Sequence, residues 1–94
     1  METRKLPRPF TMHWGSGHVV EEAWIESEYH QPTVQLLEYD EGPVTGEVSI
    51  RFCSFVNGRF QRSPLMINEA DLEPLRAAIA KQPRLRELLR KLVE

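Results

Sequence analysis

The sequence predicts an α+β domain: an antiparallel meander of three to four strands, followed by one or two C-terminal helices packed on one sheet face. Three observations predict it. Runs with period-two alternation fill the chain as far as Ile67. An Asn57-Gly58 pair separates two of these runs, and such a pair between alternating runs signals a type I′ hairpin. After Ile67 the apolar spacing lengthens from two to about 3.6 residues.

Met1 to Pro9 carries Arg4, Lys5 and Arg8 with two prolines, which predicts a mobile basic arm over 1–9 and a single domain over 10–94. Phe10, Met12 and Trp14 alternate, as in a short strand or a segment tucked against the core. Gly15-Ser16-Gly17 reads as a turn. Val19 to Glu28 reads as a strand with Val19, Ala23 and Ile25 on one face. Glu22, Trp24, Glu26 and Glu28 fall on the other, where alternating glutamates suit a solvated face. Tyr29 to Pro32 connects to a strand over Thr33 to Asp40, apolar enough to be central in a sheet. Glu41 to Gly46 is a loop by its Gly and Pro content.

With Asn57-Gly58 as the turn, Val56 faces Arg59, Phe55 faces Phe60, Cys53 faces Arg62 and Ile50 faces Leu65. Period-two alternation then gives a core face of Val48, Ile50, Phe52 and Val56 with Leu65 and Ile67. The opposite face carries Ser49, Arg51, Cys53 and Phe55 against Phe60, Arg62, Pro64 and Met66. Asn68 is suited to cap a helix, with Asp71 as a capping-box partner. Leu72, Leu75, Ala78 and Ile79 form its apolar stripe, and Pro74 fits its first turn if the start slips to Asp71. Lys81-Gln82-Pro83 ends it. A second helical run follows, with Leu85, Leu88, Leu89 and Leu92 as its stripe.

Ninety-four residues make one small domain, and a core of that size favours a dimer that buries further apolar area. The net charge of −2 is unevenly spread. Met1 to Ile50 holds three basic and nine acidic residues, net −6; Arg51 to Glu94 holds nine basic and five acidic, net +4. No apolar run is long enough to span a bilayer, which predicts no membrane association. The single cysteine, Cys53, fits a reducing, cytoplasmic setting and reads as a small strand residue. His13, His18 and His30 match no metal-ligand spacing, so no metal and no cofactor are expected. No nucleophile–base pair or phosphate loop stands out, so no catalytic residue is named. An enzyme would need groups such as His13, Glu28 and His30 to converge in one pocket.

Arg51, Phe55, Phe60 and Arg62 share the sheet face left without helix cover, and open faces of arginine and aromatic residues are a recurring device for single-stranded nucleic acid. From Thr33 to Ile79 the chain resembles the positive-cofactor-four family of transcriptional coactivators. The resemblance rests on Val48-Ser49-Ile50-Arg51-Phe52, the following strand to Leu65 and Ile67, and Asn68, Leu72 and Leu75 opening the helix. It implies a dimeric single-stranded-DNA binder with Arg51 and Arg62 as phosphate contacts and Phe55 or Phe60 as stacking rings. Arg62-Ser63-Pro64 stands where that family has a Lys-Gly pair, and a second helix is appended. The same aromatic pair equally stabilises a hairpin with no ligand at all. The expectation from sequence is therefore a non-enzymatic, dimeric binding or protein-interaction module. Its candidate dimer seam is Leu85, Leu88, Leu89 and Leu92, and single-stranded nucleic-acid binding is the alternative.

Overall fold

Five strands, rather than three to four, form one antiparallel sheet in the computed structural model, which describes residues 4–62 and 64–94. They are β1 (Arg8–Met12), β2 (Gly15–Trp24), β3 (Gln31–Glu41), β4 (Val48–Val56) and β5 (Arg59–Gln61), and they lie side by side in chain order. A 3₁₀ turn, Glu69–Asp71, leads into α1 (Leu72–Ala80) and then α2 (Pro83–Val93). The α+β class and the two C-terminal helices are as expected. The extra strand arises because the first reversal lies at His13-Trp14, one step earlier than the glycines suggest. Gly15 to Gly17 then opens β2, with Phe10 opposite Gly17 and Met12 opposite Gly15. Gly17 serves close approach rather than turning: a Cβ there would stand 1.8 Å from the Glu38 carbonyl oxygen.

A bulge at Val20 decides which residues of β2 point where. Val19 pairs with Leu37 but Glu21 pairs with Leu36, so one extra residue is accommodated and the alternation flips. Val19 therefore shares a face with Glu22 and Trp24, whereas Val20, Glu21 and Ala23 lie on the other. The sequence pattern had grouped Val19 with Ala23 instead. β3 is central, as expected, and is buried on both faces from Gln31 to Leu37.

Both helices cover one face. Ala23, Val34 and Leu36 of the sheet close against Leu75 of α1 and Leu85 of α2, with Ile50, Ile79, Leu88 and Leu89 at the margin. The helices thus sit over β2 and β3 rather than over β4 and β5. Val48 and Phe52, expected in the core, are 42% and 48% exposed. The crossover into α1 explains the shift. The His30 ring lies 2.8 Å from the Met66 carbonyl oxygen, and the Ser27 hydroxyl donates to the Asp71 carboxylate at 2.7 Å, drawing the chain to the end of the β2–β3 hairpin. Asp71 is consequently a tertiary tether and not a capping-box acid. Pro74 falls in the first turn of α1, where its missing N–H costs little. Pro83 opens α2, and Glu21 of the sheet caps it, accepting the Arg84 and Leu85 backbone N–H groups at 3.3 and 2.9 Å. Among the described residues no helix is long and apolar enough to cross a membrane.

The opposite face is covered by the N-terminal segment. Phe10, Val19, Leu37 and Tyr39 form a second apolar cluster there, with Leu6, Met12 and Val44 against it. The Phe10 and Tyr39 rings meet edge to face at 5.2 Å. Of the stretch expected to be a mobile arm, Arg8 and Pro9 belong to β1 and Arg4 is bonded across the sheet. Met1 to Thr3 lie outside the described residues.

Candidate functional site

The Asn57-Gly58 turn forms with both residues at positive φ, 51° and 77°, and sets Phe55 opposite Phe60 and Val56 opposite Arg59. That part of the expected register is present. The pairing stops at Gln61 opposite Ser54, so the Cys53–Arg62 and Ile50–Leu65 pairs do not form. Pro64, which has no N–H to give a ladder, follows shortly after the end of β5. Two regions of the molecule thereby gain distinctive chemistry.

The first is the face under the N-terminal segment. Glu22, Gln35 and Arg51 occupy matching positions on β2, β3 and β4. Gln35, fully buried, donates to the Glu22 carboxylate at 2.7 Å and accepts from the Arg51 Nε–H at 2.7 Å. Arg8 donates to Glu22 Oε2 at 2.8 Å and Arg4 to Oε1 at 3.1 Å. Burial alone would raise the Glu22 pKa, but the hydrogen bonds from Arg8 and Gln35 and the charges of Arg4 and Arg8 outweigh it. Its carboxyl is held below the ordinary 4.5. Arg4 continues across the next rows, donating to Gln31 Oε1 at 3.1 Å and to Thr33 Oγ1 at 3.2 Å. Its guanidinium carbon lies 4.0 Å from the centre of the Phe55 ring and 5.2 Å from that of Trp24. No buried side-chain nitrogen or oxygen among the described residues lacks a hydrogen-bond partner.

The sequence-nominated nucleic-acid residues are therefore unequal. Arg51 is committed to Gln35 and lies over the Phe60 ring at 4.9 Å. Phe55 is buried beneath Arg4 and meets Phe60 edge to face at 5.7 Å. Phe60 is half-exposed and Arg62 is exposed. Cys53, beside them, is buried, and burial pushes its thiol up, the neighbouring Arg51 charge opposing only part of that. What the sequence pattern missed here is the burial of Glu22 under Arg4 and Arg8, and Arg4 itself, which lies far away in the chain.

The second region is the outer edge of β4. Because β5 is three residues long, no described strand pairs with Val48 to Cys53 on that side. Beside this open edge, Val48, Ile50 and Phe52 of the sheet and Leu88, Lys91 and Leu92 of α2 line an apolar cleft of about 480 Å³. Of the four leucines nominated as a seam, Leu85 is fully buried in its own chain and Leu88 and Leu89 are half-buried against that core. Leu92 is 69% exposed.

Of the three residues that an enzyme would need to converge, Glu28 and His30 line one cleft and His13 lies away from it. His13 packs edge to face on Trp14 at the β1–β2 turn, while Glu28 and His30 lie in the β2–β3 connection. His18 pairs with Asp40 at 2.8 Å on the exposed surface. Comparison with protein-family models, with curated proteins and with solved structures yields no match to this chain, so its functional reading rests on the geometry described above.

Proposed function

We propose that the chain is a non-enzymatic binding module that works as a homodimer, joined edge to edge through β4. The observation that carries this reading is the run of β4 from Val48 to Cys53, whose outer side pairs with no strand among the described residues, beside the Val48/Phe52/Leu88/Leu92 cleft. An open strand edge with exposed apolar side chains is a template for another strand, and soluble proteins normally block such edges with charge, proline or a covering element. The segment complements itself. An antiparallel pairing centred on Ile50 sets Val48 against the partner's Phe52 and Ser49 against the partner's Arg51, with no like charges opposed. The two sheets merge into one of ten strands, and Leu92 of each protomer closes over the apolar ladder. This seam differs from the full leucine stripe of α2, since Leu85 is occupied at home. The buried single cysteine fits the cytoplasmic setting we infer for the module.

Sedimentation equilibrium tests the reading directly. The wild-type chain is expected to be dimeric at micromolar concentration, and Phe52→Lys is expected to be monomeric with an unchanged far-ultraviolet circular dichroism spectrum. A wild-type monomer at high micromolar concentration overturns it, as does a Phe52→Lys dimer of wild-type strength.

Single-stranded nucleic-acid binding through Arg51, Phe55, Phe60 and Arg62 is the weaker reading, because Arg51 and Phe55 already have partners in the fold. It predicts a rise in oligonucleotide anisotropy at low salt that is lost in Arg51→Ala with Arg62→Ala.

A further inference from the structure

We propose that Glu22, Gln31, Thr33, Trp24 and Phe55 form a receptor for an arginine side chain, which this chain fills with its own Arg4. Each edge of the guanidinium has a fitted partner: Nε donates to Glu22 Oε1, Nη1 to Gln31 Oε1 and Nη2 to Thr33 Oγ1, at 3.1, 3.1 and 3.2 Å. The flat group has aromatic neighbours, with Phe55 at 4.0 Å and Trp24 at 5.2 Å from its carbon. Three acceptors fanned around a planar slot suit the rigid fork of an arginine, whereas a lysine ammonium directs its donors from a single atom.

The acceptors are held in place without Arg4. Glu22 is fixed by Arg8 and Gln35, with its side chain only 2% exposed. The Thr33 hydroxyl donates to the Gln31 carbonyl at 2.9 Å, leaving its oxygen free to accept, and the Gln31 amide donates to Glu26. Supports of this kind preorganise a site for a ligand instead of relying on the ligand to build it. Arg4, by contrast, precedes the first residue of β1, so its withdrawal leaves every strand pairing intact. The occupant in trans is an arginine presented by an extended segment. The chain's own arm competes with it at an effective concentration on the order of millimolar.

Arg4→Ala empties the slot for test. Its melting temperature is expected to fall below wild type, and about 10 mM guanidinium, a concentration set by the tethered competitor, is expected to restore at least half of the loss. Methylammonium at equal ionic strength is expected to restore far less, and the wild type is expected not to respond to either ion. The peptide acetyl-Thr-Arg-Lys-Leu-amide should bind Arg4→Ala at least about tenfold more tightly than wild type, and its Lys-for-Arg analogue at least about tenfold more weakly. If the natural source is the arm of a second copy, unlabelled wild-type protein shifts the Trp24 indole resonance of labelled Arg4→Ala; if it is another protein, only the peptide does.

An Arg4→Ala protein that melts with the wild type, or one that is destabilised but indifferent to guanidinium over matched sodium chloride, overturns the proposal. Should Arg4→Ala fail to fold, the wild type decides. A slowly exchanging Arg4 Nε–H with an Overhauser contact to the Phe55 ring is expected, and its absence is fatal to the assignment.

Discussion

Glu22 is where single-residue chemistry weighs most on this molecule. It is a buried carboxylate that two arginines and a glutamine keep ionised. Its folded-state pKa lies below the ordinary 4.5, so the stability it contributes is present above that value and is lost as pH falls through the folded value. The groups facing it are Arg4 from the N-terminal segment, Arg8 from β1 and Gln35 from β3, with Arg51 of β4 beyond Gln35 in the same row and Cys53 of β4 in the next. Glu22→Gln is expected to cost about 2–3 kcal/mol at neutral pH, at the low end for a broken buried pair because both arginines can recover water. The gap in melting temperature between wild type and Glu22→Gln should be widest at neutral pH and narrow under acid; a gap independent of pH would contradict the assignment. None of this could be read from the sequence. Alternation places Glu22 beside Trp24, Glu26 and Glu28 on a face expected to be solvated, but the Val20 bulge brings Val19 onto that face and Arg4 and Arg8, from the N-terminal segment and β1, cover Glu22.

Individual elements were more legible. Pro83 and the spacing of Leu85, Leu88, Leu89 and Leu92 mark α2, and the observed helix, Pro83–Val93, runs from that proline to one residue past the last leucine of the stripe. Asn57-Gly58 fixed its own turn because few residues tolerate positive φ twice in succession. The length of β5 was not legible, since a strand continues only while its partner edge and the departing chain permit, and here the chain leaves for His30. The cap of α2 was hidden for a similar reason: the acid that binds its first turn is Glu21, more than sixty positions earlier. Glu21→Ala should therefore cost about 1 kcal/mol, the usual loss for an N-terminal cap. The expected result is a lower urea midpoint with an unchanged slope. Equal midpoints for the two proteins would show that the contact contributes nothing.

At the scale of the molecule, two helices share one sheet face, and where they lie decides what stays open. The sequence specified that helices follow the sheet and that Leu75 and Ile79 face it. It could not specify that Ser27 and His30 would steer them over β2 and β3, leaving Val48 and Phe52 bare. Hydrogen exchange reads this arrangement out in one measurement. Amides of β3, central and buried on both faces, should exchange most slowly at every concentration. Outward amides of β4 between Val48 and Cys53 should exchange quickly in dilute solution and gain protection as concentration rises. Protection there that ignores concentration would mean the edge is not where copies meet.

The strand order β1-β2-β3-β4-β5 has a further consequence for how the chain is made. Each strand finds its mate in the segment synthesised just before it, so the meander can zip up progressively as it emerges from a ribosome, with no strand waiting on a distant one. The lids for Ala23, Val34 and Leu36, Leu75 and Leu85, are translated only after every strand of the sheet. A nascent chain thus carries a finished sheet with one oily side naked until the helices arrive, and that brief interval is when it most needs a chaperone's shelter.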